Sequence, residues 1–258
     1  MEHHARGEDL AFAQHLADLA AQITRSAFGG RLPVELKSDA SPVTEIDAAA
    51  EQRMRDEIAS TYPDDGILGE EGDAIVGTSG RTWVLDPIDG TRMFAEGIPL
   101  WSTLIGLRHD RQMVVGVADA PVLGERYHAT FGGGAFCNGD PITVSDVATL
   151  ADALVLHATL EEFIRKTGLP ALTRVSSEAR VTRGIGDGWA HLLVARGAAD
   201  ALVEQGPCFE WDWAATSVIV HEAGGRLSRL EGGEPTPGCH LLVSNGHLDD
   251  EVRATLLP

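Results

Sequence analysis

Two aspartates, a glycine and a threonine follow directly on an apolar run in Trp83-Val84-Leu85-Asp86-Pro87-Ile88-Asp89-Gly90-Thr91. The run reads as a short strand with Asp86 at its end, where Pro87 removes an N–H, fixes φ and so ends the ladder. Asp89-Gly90 turns the chain, and Thr91 begins a helix. Two carboxylates, a hydroxyl and helix N-terminal N–H groups therefore converge. Carboxylate oxygens suit a hard cation such as Mg²⁺, and helix N-terminal N–H groups suit a phosphate, so the combination points to metal-assisted phosphate chemistry. The same residues also make an ordinary solvated turn. What argues for chemistry is their company: Gly69-Glu70-Glu71-Gly72 upstream and Glu210-Trp211-Asp212-Trp213-Ala214-Ala215 far downstream.

The elements that must position these residues can be read in order. Phe12, Ala13, Leu16, Leu19, Ala20 and Ile23 recur at helical spacing through residues 9–28, and Gly29-Gly30 stops the run. A short extended piece at 34–37 and a polar turn at 38–42 follow. Thr44-Glu45-Ile46-Asp47 reads as an N-cap with an acidic residue at N3, opening a helix to about Ser60. On spacing alone Asp47 is first of all that capping carboxylate. Ile67-Leu68-Gly69 is a strand leading into Glu70-Glu71, a pair that is either a solvated loop or, with a glycine on each side, backbone able to approach an ion closely.

Past the central motif, 102–108 and 112–120 read as strands, and 126–130, 135–137 and 142–144 continue a β-rich meander. Gly132-Gly133-Gly134 is better explained by tight β turns than by a phosphate loop. The second half alternates. Strands are expected at 153–157, 180–183, 199–204, 226–229 and 241–244. Helices are expected at 160–166, 187–196 (capped by Asp187), 211–223 and 247–256. The pattern predicts an α/β chain with one half at 1–147 carrying the main motif and a second at 148–258 supplying Asp212.

Composition excludes several classes. The 258 residues are 43% hydrophobic, enough for a large core, with no run near the ~18 apolar residues of a membrane span. A net charge of −19 argues against nucleic acid as partner, because phosphate backbones need Lys/Arg surfaces. Glu2, His3, His4, Arg6 and Glu8 do not form a signal peptide, so a cytoplasmic, membrane-free protein is expected. Cys137, Cys208 and Cys239 lack metal spacing and an odd count does not suggest a disulfide framework. The histidines show no H-E-x-x-H pattern, which leaves a zinc hydrolase poorly supported.

Taken together, Glu70-Glu71, Asp86-Pro87-Ile88-Asp89-Gly90-Thr91, Trp211-Asp212-x-Ala214-Ala215 and Glu222-Ala223-Gly224-Gly225 resemble the inositol monophosphatase family. The resemblance implies a layered α/β sandwich of alternating helix and sheet layers, and Mg²⁺-dependent hydrolysis of a small phosphate monoester by direct water attack. It implies a first metal on Glu70, Asp86 and the Ile88 carbonyl, and a second on Asp86, Asp89 and Asp212. A weaker third metal would sit at Glu70. Thr91 would pair with Asp47 to position and deprotonate the attacking water, and the Gly90 and Thr91 N–H groups would hold the phosphate. Homodimerisation and lithium inhibition are further implications. The spacing Asp86-x-x-Asp89 differs from the D-x-D-x-[TV] of phosphatases that form an aspartyl-phosphate, which favours water attack.

Pro99-Leu100-Trp101-Ser102-Thr103-Leu104-Ile105 and Gly184-x-Gly186-Asp187-Gly188-Trp189, followed by Leu192-Leu193-Val194-Ala195-x-Gly197-Ala198, resemble the histidinol-phosphate phosphatase branch. Histidinol phosphate carries an ammonium and an imidazole, and Glu210 or Asp187 would give it an acidic wall. Asp187 is equally a plain N-cap. Trp189 and Trp211 line the pocket or simply fill the core. Arg92-Met93, Trp213 and Cys208-Phe209-Glu210 depart from the family pattern and leave inositol 1-phosphate or a specialised sugar or aminocyclitol phosphate open as substrate. A non-catalytic phosphometabolite-binding regulator is disfavoured, because Asp47, Glu70, Asp86, Asp89, Thr91 and Asp212 are all present.

Overall fold

The computed structural model describes residues 5–29 and 44–257 in full and, between them, the backbone of 35–36 and 42–43. Val34, Lys37, residues 38–41 of the expected turn, and Glu2, His3 and His4 lie outside the described residues.

Helix α1 (Asp9–Ala27) and helix α2 (Glu45–Thr61) flank a two-residue pairing of β1 (Glu35–Leu36) with β2 (Pro42–Val43). Next come β3 (Gly66–Gly69), β4 (Arg81–Asp89), the short α3 (Thr91–Ala95), β5 (Ser102–His109), β6 (Gln112–Ala120), β7 (Glu125–Thr130), β8 (Ala135–Cys137) and β9 (Asp140–Pro141). Strands β3 to β9 form one sheet in chain order, antiparallel except where β3 runs parallel to β4. A 3₁₀ turn at Leu150–Asp152 leads to β10 (Leu154–His157), α4 (Leu160–Glu178), β11 (Val181–Gly184), α5 (Asp187–Ala195), β12 (Ala201–Cys208), α6 (Glu210–Glu222), β13 (Arg226–Arg229), β14 (Cys239–Ser244) and α7 (Asp249–Leu256). The second sheet has the order β11-β10-β12-β14-β13.

Three apolar clusters stack these elements into five layers. Ala13, Leu16 and Ala20 of α1 and Met54 and Ile58 of α2 pack on Trp83, Leu85, Ile105 and Val115 on one face of the first sheet. The other face, through Leu104, Ala118 and Tyr127, meets Leu192 and Val194 of α5 and Ala215 and Ile219 of α6. Those helices in turn cover Leu156, Leu202 and Val243 of the second sheet. Phe163 and Val175 of α4 and Val252 of α7 close its far face against Val155, Val203 and Leu242. The order is therefore helices, sheet, helices, sheet, helices: the layered α/β sandwich. Both sheets are buried on two faces, which is why their central strands read as continuous apolar runs rather than as alternation.

Three expectations are corrected. Residues 142–144 form no strand; Ile142 and Val144 each make a single backbone bond, to Ala135 and Ala223, and the last pairing falls on β9. Helix α4 runs well past residue 166. Gly168 (φ 82°) and Pro170 kink it, and burial of Ala171 and Val175 pulls the chain back into helix beyond the break. Pro87 does not end β4: pairing with β5 lapses after Asp86↔Leu104 and resumes at Asp89↔Ser102. Proline has no N–H to give the ladder, but its carbonyl still accepts a bond from Thr103 Oγ1 at 2.8 Å, so the strand bulges and continues.

Candidate active site

The bulge in β4 aims the site. Gly90, at φ +88°, turns the chain into α3; an added Cβ there would lie 3.1 Å from the Leu100 carbonyl and 3.4 Å from Asp187 Oδ2. The buried Thr91 hydroxyl faces two acceptors, Ile88 O at 3.0 Å and Asp47 Oδ1 at 3.3 Å. Asp47 caps α2, as its sequence position suggests, and also meets Thr91, as the resemblance implied. Its Oδ2 accepts from Thr44 N at 2.9 Å and Thr44 Oγ1 at 2.5 Å as the N3 cap of α2, while Oδ1 is turned to Thr91.

Glu70 leaves the end of β3 on a loop that α2 holds in place. Buried Glu51 accepts from Glu71 N at 2.9 Å, Gly72 N at 2.8 Å and Arg55 Nε at 2.7 Å; Arg55 donates on to the carbonyls of Gly72 and Asp73, both at 2.9 Å. The glycines flanking Glu70-Glu71 also make room for that pair: a Cβ on Gly69 would sit 2.4 Å from Glu51 Oε1, and one on Gly72 3.0 Å from Arg55. They admit the bracing pair.

Asp212 arrives from the second half at the first turn of α6, with Oδ2 accepting from Phe209 N at 2.6 Å. Helix α6 lies close on the first sheet because Ala214 and Ala215 face Gly106 and Gly116; a Cβ on Gly116 would lie 2.1 Å from the Ala215 carbonyl. One oxygen each of Asp86, Asp89 and Asp212 then fall within 4.8 Å of one another. Asp89 Oδ2 accepts from Gly188 N at 2.7 Å, and a side chain on Gly188 would strike that oxygen at 2.8 Å.

Such a cluster is unfavourable as it stands. Burial first, then the charges of Glu70, Asp89, Asp212 and Asp47, hold Asp86 well above the usual carboxylate range. Asp89 is raised by burial and by Asp187, Asp212 and Glu204; Asp212 is raised by burial and, among its neighbours' charges, by Glu70 first. Asp86 Oδ1 is buried and has no hydrogen-bond partner among the described residues. An orphaned carboxylate oxygen amid converging hard-oxygen donors fits a divalent cation such as Mg²⁺. The Ile88 carbonyl, engaged by Thr91 through one lone pair, lines the same cavity and has a second to offer.

The cavity has a volume of about 590 Å³, with Glu70, Asp86, Asp89, Asp212, Gly90 and Thr91 on one side. Its far wall carries Asp187, Glu204 and Glu162, with Arg92 the one cationic side chain among the described residues of the lining. Asp187 is not the cap of α5. Gly186 holds that position, no side-chain cap bond forms, and Asp187 itself takes φ +62°, unusual for a residue with a Cβ. Burial, then the charge of Glu204, pushes its carboxyl up to about 7. Glu204 goes the other way: burial works to raise it, but the bond from His191 and the Asp187 N–H more than offset that and the net shift is downward.

Two expected wall residues are elsewhere. Glu210 pairs with Arg108 of β5 and does not line the cavity, since α6 turns it toward the first sheet. Trp189 packs against the central apolar cluster. Trp211 does line the cavity, stacked on Phe209 with ring centroids 5.1 Å apart. Arg92, Met93, Cys208 and Phe209 border the cavity, whereas Trp213 does not. Glu204, Glu162, Glu51 and His191 escaped the sequence reading. Glu204 alone left a visible signal, a charge on an apolar strand; Glu162 and Glu51 look like solvated helix faces.

A layered α/β scaffold that gathers hard-cation ligands at the floor of a deep acidic cavity is that of a phosphoric monoester hydrolase. The sequence pattern of the inositol monophosphatase family matches residues 6–256, and the chain belongs to that family. A protein of Chlorobaculum parvum named histidinol-phosphatase is 41% identical over 218 residues, covering 84% of each chain. One of that name from Mycobacterium tuberculosis is 38% identical over 255 residues, covering 96% of this chain and 98% of its own. Among solved structures, the IMPase of Thermotoga maritima superposes with a TM-score of 0.87 at 32% identity, covering 96% of each chain.

Proposed function

We propose that this chain hydrolyses histidinol phosphate, or a phosphate monoester of the same cationic character, by direct attack of water. The observation that carries the substrate reading is the far wall. Asp187, Glu204 and Glu162 are three carboxylates outside the cation cluster, and among the described residues of the lining Arg92 is the one cation that opposes them. A neutral polyol would not offset that charge; an ammonium or imidazolium on the leaving alcohol would. The names of the two bacterial relatives above agree with this choice.

Glu70, Asp86, the Ile88 carbonyl, Asp89 and Asp212 are the residues that would hold two Mg²⁺ ions, with Glu70 available to a third. Bound there, the cations would screen the ester's charge and lower the pKa of water. The rest belongs to the chain. Thr91 Oγ1 hands its proton to Asp47 Oδ1, 3.3 Å away, as it takes one from the attacking water, and Asp47 is kept ready by the Thr44 donors on its other oxygen. The N–H groups of Gly90 and Thr91 hold the phosphate oxygens. Asp187, freed from capping, meets the cationic alcohol together with Glu204.

Phosphate release with Mg²⁺ from histidinol phosphate, inositol 1-phosphate, fructose 1,6-bisphosphate and an aminocyclitol phosphate tests the reading. Selectivity for histidinol phosphate supports it, and equal or better turnover of inositol 1-phosphate overturns it. That ester of a neutral polyol is the second reading, favoured by the fold's close match to the Thermotoga IMPase and by Arg92 in the wall. Homodimerisation and lithium inhibition are part of the same proposal. No helix among the described residues is long and apolar enough to cross a membrane.

A further inference from the structure

His191 is fully buried, one helical turn beyond Asp187 on α5, and both of its ring nitrogens are occupied. Nδ1 lies 2.8 Å from Thr216 Oγ1 of α6, and Nε2 lies 2.8 Å from Glu204 Oε2 of β12. The carboxylate can only accept, so Nε2 carries the proton directed at it. Glu204 Oε1 accepts from Asp187 N at 3.1 Å. One carboxylate thus pins both ends of the first turn of α5: the backbone of Asp187 in its left-handed conformation and the imidazole one turn later. Thr216 fixes the ring from behind. Turning the imidazole over would present carbons to Glu204 and Thr216, so the orientation is unique.

We propose that His191 is a positioning residue for substrate choice. It holds Glu204 as an oriented, ionised acceptor on the cavity wall, and through Glu204 it holds Asp187, so that the wall selects phosphate esters whose alcohol bears a cation. It touches neither substrate nor cation cluster. Glu204 has three protein donors, the Asp187 N–H, the His191 ring and the Cys208 thiol, and keeps one of its four lone pairs for an N–H from the substrate. Without the imidazole, a buried carboxylate beside Asp187 would lose the donor that compensates its charge and would take a proton instead. The inference rests on the cationic-substrate reading above.

Two amides separate positioning from packing. A glutamine at 191 brings its amide nitrogen near the place of Nε2 and can still donate to Glu204; an asparagine reaches only the place of Nδ1, toward Thr216. The readout is the ratio of kcat/KM for histidinol phosphate to that for inositol 1-phosphate, with the melting temperature of each protein alongside. His191→Asn is expected to lower that ratio about tenfold or more, through KM for histidinol phosphate, while His191→Gln stays within about threefold of the parent, a tenfold effect being the size of one charge-assisted hydrogen bond. Equal ratios in the two variants, or parallel losses on both esters that follow the melting temperature, would overturn the proposal. A parent enzyme with no preference for histidinol phosphate would remove the substrate reading and this inference together. A selective parent with an equally selective Asn variant would remove the inference alone.

Discussion

Asp86 is buried, and the charges of Glu70, Asp89, Asp212 and Asp47 all converge on it. An oxygen without a hydrogen-bond partner among the described residues, close to Asp89 and Asp212, fits a cation that would complete it. Asp86→Asn is therefore expected to reduce Mg²⁺-dependent turnover by about a thousandfold or more, measured as kcat on the preferred ester. The fold should survive, since the change also relieves like-charge repulsion, and the melting temperature without Mg²⁺ should rise. Thr91 offers a contrasting test. Thr91→Ala removes the proton path to Asp47 but no cation ligand. Turnover should fall about a hundredfold or more, with the Mg²⁺ dependence of what remains unchanged. A variant whose Mg²⁺ requirement shifted in step with its rate would show that Thr91 acts on the cation instead.

Among elements, α2 has two jobs that its sequence advertises as one. Its first turn presents Asp47 to Thr91, and one turn later Glu51, with Arg55 beyond it, braces the loop bearing Glu70. Glu51→Ala would leave two backbone N–H groups and a buried guanidinium without their acceptor. A loss of about 3 kcal/mol in unfolding free energy is expected, as for breaking a buried ion pair, together with weaker Mg²⁺ activation because Glu70 loses its support. Denaturant unfolding and Mg²⁺ titration of activity measure the two parts separately. Unimpaired Mg²⁺ activation would mean that the Glu70 loop holds itself. Helix α6 is the other decisive element: its Ala214-Ala215 face against Gly106 and Gly116 sets the depth at which Asp212 reaches the cluster.

For the whole molecule, the raised carboxyls make stability depend jointly on pH and cation. A carboxyl whose folded pKa is raised binds more protons folded than unfolded. Its favourable contribution is complete below the ordinary carboxylate range and is lost as pH rises through the folded value. For Asp187 that window runs from its ordinary 3.8 to about 7, and Asp86, Asp89 and Asp212 shift in the same direction. Mg²⁺ competes with those protons. The rise in melting temperature on adding Mg²⁺ is therefore expected to be larger at pH 7.5 than at pH 5.5. A Mg²⁺ effect that was the same at both pH values, or absent, would mean that this cluster does not bind the ion. The acidic net charge of −19 should make both melting temperatures rise with modest salt, through screening of self-repulsion.

The sequence by itself determined whatever depends on near neighbours. The strand-turn-helix at Asp86 to Thr91, the Thr44–Asp47 cap and most element positions follow from period, turn chemistry and capping, which act over a few residues. It also marked Asp212 and Glu70 as partners of that turn, through motif spacing rather than through physics. Tertiary structure alone decided which carboxylates face the cavity. Asp187 and Glu210 look alike as acidic residues beginning helices, yet a left-handed turn held by Glu204 directs the first inward, and Arg108 takes the second. Glu204, Glu51 and His191 gained their roles from partners tens of residues away or on separate elements, and no local pattern records such pairings. The bulge at Pro87 has the same origin: a missing N–H predicts a break, and only the pairing of Asp89 with Ser102 decides that the strand goes on.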